Sequence, residues 1–272
     1  MEKEKIKIAA LQMESIIGDV QANRAKVEKL LEEGLKNKKA DIIVLPEVWT
    51  VGWDCEKFIA SAEDISCSQT INLLKNLAQK YSAYILGGSF VEQRENEFYN
   101  TCPVISPDGE LITTYSKNHL FSYYGCNEGN YVQRGTNPVL VNILGLKIGL
   151  SICYDIRFPE IYRAYRKAGA DLLVNMAAWP LGRKNHWLSL TRARAVENQS
   201  FFVALTQTGT LSNGSKNLGH SLIYDYNGEV LDELITDEGV IYTEISTEKM
   251  YEFRNKCTVL KDIHQNYEVL EC

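Results

Sequence analysis

The stretch from Leu146 to Ala170, LKIGLSICYDIRFPEIYRAYRKAGA, constrains the fold of this chain more than any other. Its first seven residues, Leu146 to Ile152, are mostly apolar and run into Cys153, the pattern of a strand buried on both faces of its sheet. Beyond the cysteine, Pro159 suits the first turn of a helix and Glu160 its positive end, while Gly169 follows a basic last turn with Arg166 and Lys167. Strand, turn and helix in this order belong to a layered α/β fold, and they put a thiol at the carboxyl end of a strand. Open α/β sheets bind ligands in crevices outside those ends. A tight turn there can also aim backbone N–H groups at a reacting oxygen, so the backbone at Cys153 is expected to be strained. The competing reading is a small buried hydrophobe, which most cysteines in such runs are.

The same grammar recurs along the chain. Ile6 to Met13 reads as a strand, and Val20 to Lys36 as a helix started by Gly18 and Asp19, with Val27, Leu30, Leu31 and Leu35 on one face. Ala40 to Leu45 is an apolar strand running into Pro46 and Glu47, so that carboxylate also sits at a strand's end. Ser68 to Tyr81 reads as a helix and Ala83 to Val91 as one strand. Phe98 to Ile105 and Leu111 to Tyr115 form a hairpin around Ser106–Gly109, which leaves Lys117 just past a strand. After a loop from Phe121 to Gly135 and the strand that ends at Cys153, Ala170–Asn175 repeats the pattern of Ala40–Leu45, each after a helix with a basic C-terminal end, and suggests two similar half-units. A helix over Asn185–Asn198, a strand over Phe201–Thr206 and a hairpin at Tyr226–Glu229 follow. The tail after Glu248 reads as extended.

Composition removes several classes of function. The 272 residues contain 18 glycines and 6 prolines, scattered without a linker, so residues 1–272 are expected to form one domain. A formal charge of −6 without a basic patch argues against nucleic acid and anionic membrane surfaces, and leaves a small molecule as the partner. The N-terminus alternates charged and apolar residues, and no run reaches membrane-spanning length, which points to the cytoplasm. Seven cysteines at 55, 67, 102, 126, 153, 257 and 272, without a CxxC pair and with only four histidines, show no zinc spacing and suit free thiols in a reducing compartment.

Hydrolysis of an unactivated amide needs a nucleophile, a base, a proton donor for the leaving nitrogen and positive charge at the oxyanion. Cys153 can be the nucleophile. At this point the sequence resembles the nitrilase superfamily of carbon-nitrogen hydrolases: LPEVW carries Glu47, YSKNHLF carries Lys117 and ICYDIRFPE carries Cys153, in that family's order and spacing. NMAAWP and RARAVENQ extend the likeness over most of the chain. The resemblance implies a four-layer α-β-β-α sandwich and a mechanism in which Glu47 is the base, Cys153 forms a thioester, and Lys117 with the Tyr154 N–H holds the oxyanion. It also implies that Glu128 orients substrate and lysine. On that reading every role belongs to a side chain or backbone group, so no metal or organic cofactor is expected, in keeping with the lack of GxGxxG or GxxxxGK. His119, two residues past Lys117, leaves a Cys–His pair as the rival design.

The CYDIRFPE form resembles the Nit branch, whose omega-amidases act on alpha-ketoglutaramate and succinamate. There Arg157 could grip a substrate carboxylate bidentately, or instead pair inside the protein with Glu160. Phe121 and Trp179 either line the pocket or pack the core. An N-carbamoyl amino acid hydrolase or a deaminated-glutathione amidase would keep the same triad, and a non-catalytic binding protein could keep the fold. By family analogy the chain should form a homodimer or larger homo-oligomer through Pro159–Lys167 and Asn185–Asn198.

Overall fold

The computed structural model describes residues 5–122, 127–211, 213–264 and 270–271. Cys126, Cys272 and part of the loop between Phe121 and Gly135 lie outside the described residues. In chain order the main elements are β1 (Lys5–Gln12), α1 (Val20–Gly34), β2 (Ile42–Val44), α2 (Cys55–Phe58), β3 (Glu63–Asp64), α3 (Gln69–Tyr81), β4 (Tyr84–Leu86), β5 (Phe90–Arg94), β6 (Glu97–Ile105) and β7 (Leu111–Ser116). They continue with β8 (Leu140–Ile143), β9 (Leu146–Ile152), α4 (Pro159–Lys167), β10 (Leu172–Ala177), α5 (Lys184–Asn198), β11 (Phe201–Thr206), β12 (Ser221–Tyr224), β13 (Val230–Leu234), β14 (Gly239–Ser246) and α6 (Thr247–Lys256).

Two sheets form the centre, one ordered β14-β1-β2-β4-β6-β5-β3 with β7 also on β6, the other β13-β12-β11-β10-β9-β8. Strand periodicity sorts side chains between the layers. In β1 and β2, Ile6, Ile8, Ala10, Ile42 and Val44 face the second sheet, in one core with Leu150, Val174 and Leu205. Their alternates Ala9, Leu11, Ile43 and Leu45 face outward and pack with Val27 and Leu31 of α1 and Leu74 of α3. On the far side Tyr162 and Tyr165 of α4 and Trp187 of α5 cover the second sheet. The result is the expected four-layer α-β-β-α sandwich. Among the described residues no helix is long and apolar enough to cross a membrane.

The two half-units share a hydrogen-bond pattern as well as a sequence pattern. Asp41 donates its N–H to Lys7 O (2.8 Å) and accepts the Lys7 N–H at Oδ2 (2.8 Å). Asp171 repeats both contacts with Lys147, at 2.8 and 3.3 Å. Each aspartate thereby aligns two parallel strands, β1 with β2 and β9 with β10.

Two expectations are corrected. Ala83 to Val91 is not one strand, because Gly88 takes φ +65° and the chain leaves β4 and re-enters the sheet on the other side of β6 as β5. The tail after Glu248 is not extended: α6 covers Thr247–Lys256, buries Met250, and is tied down by Arg254 to Asp171 (2.9 Å) and to Ala170 O (2.9 Å). Its charged sequence has almost no apolar stripe, so that anchoring rather than periodicity places the helix. Three elements, α2, β3 and β14, lie outside the sequence expectations, and the last pairs with β1 along its whole length; elsewhere boundaries shift, as α1 ends at Gly34 without a basic last turn and Ser68 caps α3 through the Ile71 N–H.

Gly88 matters to the site because a Cβ there would collide with the Pro46 carbonyl oxygen, next to Glu47. With the positive φ added, Gly88→Ala is expected to cost about 2–4 kcal/mol in chemical denaturation and to lower activity together with stability.

Candidate active site

Three strand ends of two sheets deliver the polar groups. Glu47 follows β2, Lys117 follows β7, and Cys153 follows β9 as the first residue of a short 3-10 turn through Arg157. Cys153 has φ +44°, so the expected strain is present. Glu47, Lys117 and Glu128 are fully buried, while Cys153 is 6% exposed.

Lys117 is the hub. Its Nζ donates to Glu47 Oε1 at 2.7 Å and to Glu128 Oε2 at 2.9 Å. Asn100 of β6 crosses the same space, its Nδ2 3.1 Å from Glu47 Oε1 and 3.1 Å from Glu128 Oε1. The other oxygen of Glu47 accepts the Ala178 N–H at 2.8 Å, and its carbonyl accepts Gln207 Nε2 at 2.6 Å. Glu128 Oε2 accepts the Phe121 N–H at 2.9 Å. Trp53 presents its ring face to the ammonium, 4.8 Å from the centroid. Sequence reasoning missed Asn100, Gln207 and the Ala178 N–H. Asn100 had a signal, a polar residue inside the otherwise buried YNTCPVI strand, but Gln207 and Ala178 are placed only by tertiary structure.

Burial sets the protonation states. For Lys117 burial alone would favour the neutral amine, but Glu128 and Glu47 outweigh it and hold the pKa well above the ordinary lysine value. Burial raises Glu47 above the usual carboxylate range, with Lys117 pulling back and Glu128 pushing further up. Burial also drives the Cys153 thiol well up, reinforced by the Glu47 charge and a hydrogen bond to Glu47, against the pull of Lys117. The resting site thus holds a thiol, an ammonium and a carboxylate of raised basicity beside the thiol. That pairing suits proton transfer during attack rather than a stored thiolate.

Cys153 opens onto a cavity of about 730 Å³. Tyr154, Arg157, Trp179, Phe121 and Trp53 line it with the thiol, as do Arg183 and Lys216. Phe121 meets Tyr154 edge-on at 5.6 Å, so it belongs to the cavity wall as well as to local packing. Trp179 is anchored by its indole N–H to Arg183 O at 3.0 Å and meets the core residue Trp187 at a 41° tilt, ring centroids 5.3 Å apart. The Arg157 guanidinium lies 5.0 Å from the Trp179 ring and 5.7 Å from that of Tyr154, with His186 Nδ1 3.3 Å from its Nη2. Glu160, the internal partner considered for it, lines a different cavity with Asn118, His119 and Arg134. His119 is turned the same way: its Nδ1 is 2.7 Å from Asp155 Oδ1 and its ring stacks on Phe158 at 3.8 Å, off the wall that carries Cys153. Among the described residues no cluster of His, Cys, Asp and Glu could hold a metal ion.

The family model for carbon-nitrogen hydrolases matches residues 7–255. A 2-oxoglutaramate amidase of Bacillus subtilis is 36% identical over 95% of this chain and 98% of its own. An omega-amidase of Mus musculus is 32% identical over 94% of each chain. Among solved structures, Nit3 of Saccharomyces cerevisiae, described as a member of branch 10 of the nitrilase superfamily, superposes with a TM-score of 0.84 at 27% identity, covering 94% of this chain and 95% of that one.

Two outcomes follow from the site's electrostatics. Far-ultraviolet thiolate absorbance, taken as wild type minus Cys153→Ala, is expected to stay flat through about pH 9, where an ordinary thiol of pKa about 8.5 would be mostly ionised. Lys117→Met, which leaves two carboxylates buried without their cation, is expected to cost about 3–5 kcal/mol in urea unfolding.

Proposed function

The chain belongs to the carbon-nitrogen hydrolase family and is an amidase, and on that premise we propose that it hydrolyses the terminal amide of a short dicarboxylic monoamide such as alpha-ketoglutaramate or succinamate. The observation that carries the substrate class is the charge of the cavity wall. Arg157, Arg183 and Lys216 line it, and none of its described lining residues is acidic, in a protein whose net charge is −6. A carboxylate is attracted to such a wall and an uncharged amide gains nothing from it. Arg157 lines the same cavity as Cys153, with a planar fork suited to two parallel N–H contacts. The bacterial relative, a 2-oxoglutaramate amidase, and the mouse relative, an omega-amidase, support the same class.

In the proposed mechanism Glu47 takes the thiol proton as Cys153 Sγ attacks the amide carbon. The oxyanion lies against the Lys117 ammonium and the Tyr154 N–H, each such donor being worth about 3 kcal/mol of transition-state stabilisation. The C–N bond then breaks, Glu47 returns the proton to the leaving nitrogen, and ammonia departs from a thioester. Water enters, loses a proton to Glu47, and attacks the thioester carbon. The carboxylate product leaves and the proton returns to Cys153. Glu128 holds Lys117 in place, and its charge keeps the ammonium protonated throughout. His119 takes no proton in this scheme.

The same triad would serve an N-carbamoyl amino acid or a deaminated-glutathione amidase, and ammonia release from a panel of all four substrates separates them. We further propose that residues 1–272 act as one catalytic domain in the cytoplasm, as a homodimer formed through α4 and α5. Val196 of α5, 47% exposed, supports that face, and light scattering of Val196→Glu tests it.

Cys153→Ala is expected to abolish ammonia release while melting as wild type does, with the six other cysteines dispensable. Arg157→Ala is expected to lower kcat/KM for succinamate by roughly ten- to two-hundredfold, the equivalent of a charged hydrogen bond worth about 1.5–3 kcal/mol, and to leave propionamide nearly unaffected. Equal losses on both substrates would return Arg157 to a structural role.

A further inference from the structure

The residues two positions before and two positions after Lys117 meet the residue two positions after Cys153 at a single carboxylate. Asp155 is fully buried. Its Oδ2 accepts the Tyr115 hydroxyl at 2.6 Å and the Ile152 N–H at 2.9 Å. Its Oδ1 accepts the His119 N–H at 2.9 Å and the His119 ring Nδ1–H at 2.7 Å. Four donors occupy the lone-pair sites a carboxylate offers. Tyr115 lies in β7 of the first sheet and His119 just beyond it, whereas Ile152 ends β9 of the second sheet and directly precedes Cys153.

We propose that Asp155 is a positioning residue that fixes the separation between the Lys117 ammonium and the Cys153 thiol by tying both flanks of the lysine to the nucleophile's turn. Three further observations fit this role. Cys153 holds a left-handed backbone conformation, which persists only where the surroundings over-determine it, and the Ile152 N–H to Asp155 bond closes that turn. The His119 ring is braced from the other side by Phe158 at 3.8 Å, so the imidazole acts as a strut. Asp155 does not line the cavity onto which Cys153 opens, so its effect on substrate is indirect. Sub-ångström placement matters because a displacement of about 1 Å at a reacting group can cost about a hundredfold in rate.

This inference rests on the thioester mechanism proposed above, and its test separates the two. Asp155→Asn keeps the shape but sets an amide N–H₂ against two donors, and Tyr115→Phe removes one donor of the four together with the long Asn118 N–H contact to the same hydroxyl (3.4 Å). Two readouts are taken on each: kcat and KM for ammonia release from succinamate, and the rate at which iodoacetamide alkylates Cys153, followed on the Cys153 peptide by mass spectrometry. Asp155→Asn is expected to lower kcat by roughly ten- to a hundredfold and Tyr115→Phe by roughly three- to tenfold, with KM within about threefold of wild type and Cys153 alkylation slowed alongside. A merely structural role would lower the melting temperature without this split. A folded Tyr115→Phe whose kcat and alkylation rate both stay within about twofold of wild type overturns the proposal, as does a KM that rises in step with the loss of kcat/KM. If Asp155→Asn does not fold, Tyr115→Phe decides. If wild type releases no ammonia from any amide, the functional reading fails while the alkylation rates still decide the role of Asp155.

Discussion

One buried ammonium, held between two buried carboxylates, is the interaction on which the rest of this structure depends. Lys117, Glu47 and Glu128 have no exposed side-chain surface, and their contacts are 2.7 and 2.9 Å. Desolvating three charges is expensive, and a network of this kind is weak evidence for stability; replacing it by apolar groups of equal volume is often neutral or favourable. Its value lies elsewhere. In a low-dielectric site the positions of the partners become rigid, and a cation that cannot lose its proton faces the place where negative charge would develop. Burial raises the Glu47 carboxyl and the Cys153 thiol together, while the two carboxylates hold Lys117 charged against its own desolvation.

The need to gather these groups explains the architecture. Glu47 and Lys117 come from one sheet and Cys153 from the other, so neither half holds the site alone. Bonds across the seam do the joining: the Ala178 N–H and Gln207 side chain from the second sheet to Glu47, and Tyr115 from the first sheet to Asp155. Asp41 and Asp171 repeat one alignment device in the two halves, setting β2 beside β1 and β10 beside β9. The halves then carry different chemistry at their edges, because Glu47 follows β2 in one and Ala178 follows β10 in the other.

Much of this is legible in the amino-acid sequence. Period-two alternation in β1 and continuous apolar runs in β9, β10 and β11 marked the sheet layers, and Pro159 with Gly169 bracketed α4 closely. The ordered motifs around Glu47, Lys117 and Cys153 brought together residues that the fold also gathers. Local signals failed where the energetics are not local. The run from Ala83 to Val91 satisfies a strand pattern, yet backbone crowding by Pro46 forces a left-handed glycine and a break. Likewise α6 has the composition of a solvated tail and is held by Tyr251 and Arg254 reaching Asp171, some eighty positions earlier, which no periodicity encodes.

The sequence by itself determined the layer pattern, the elements that carry the polar groups and the chemical kinds of those groups, because each follows from side-chain spacing over a few residues. Only the tertiary structure decided their protonation and their company. Lys117 stays charged because of carboxylates seventy and eleven positions away in the chain, at 2.7 and 2.9 Å. His119, the rival base that the sequence also offered, is turned onto Asp155 and Phe158. Desolvation and hydrogen bonding depend on what surrounds a group in space, and for a site assembled from the edges of two sheets those surroundings come from the whole length of the chain.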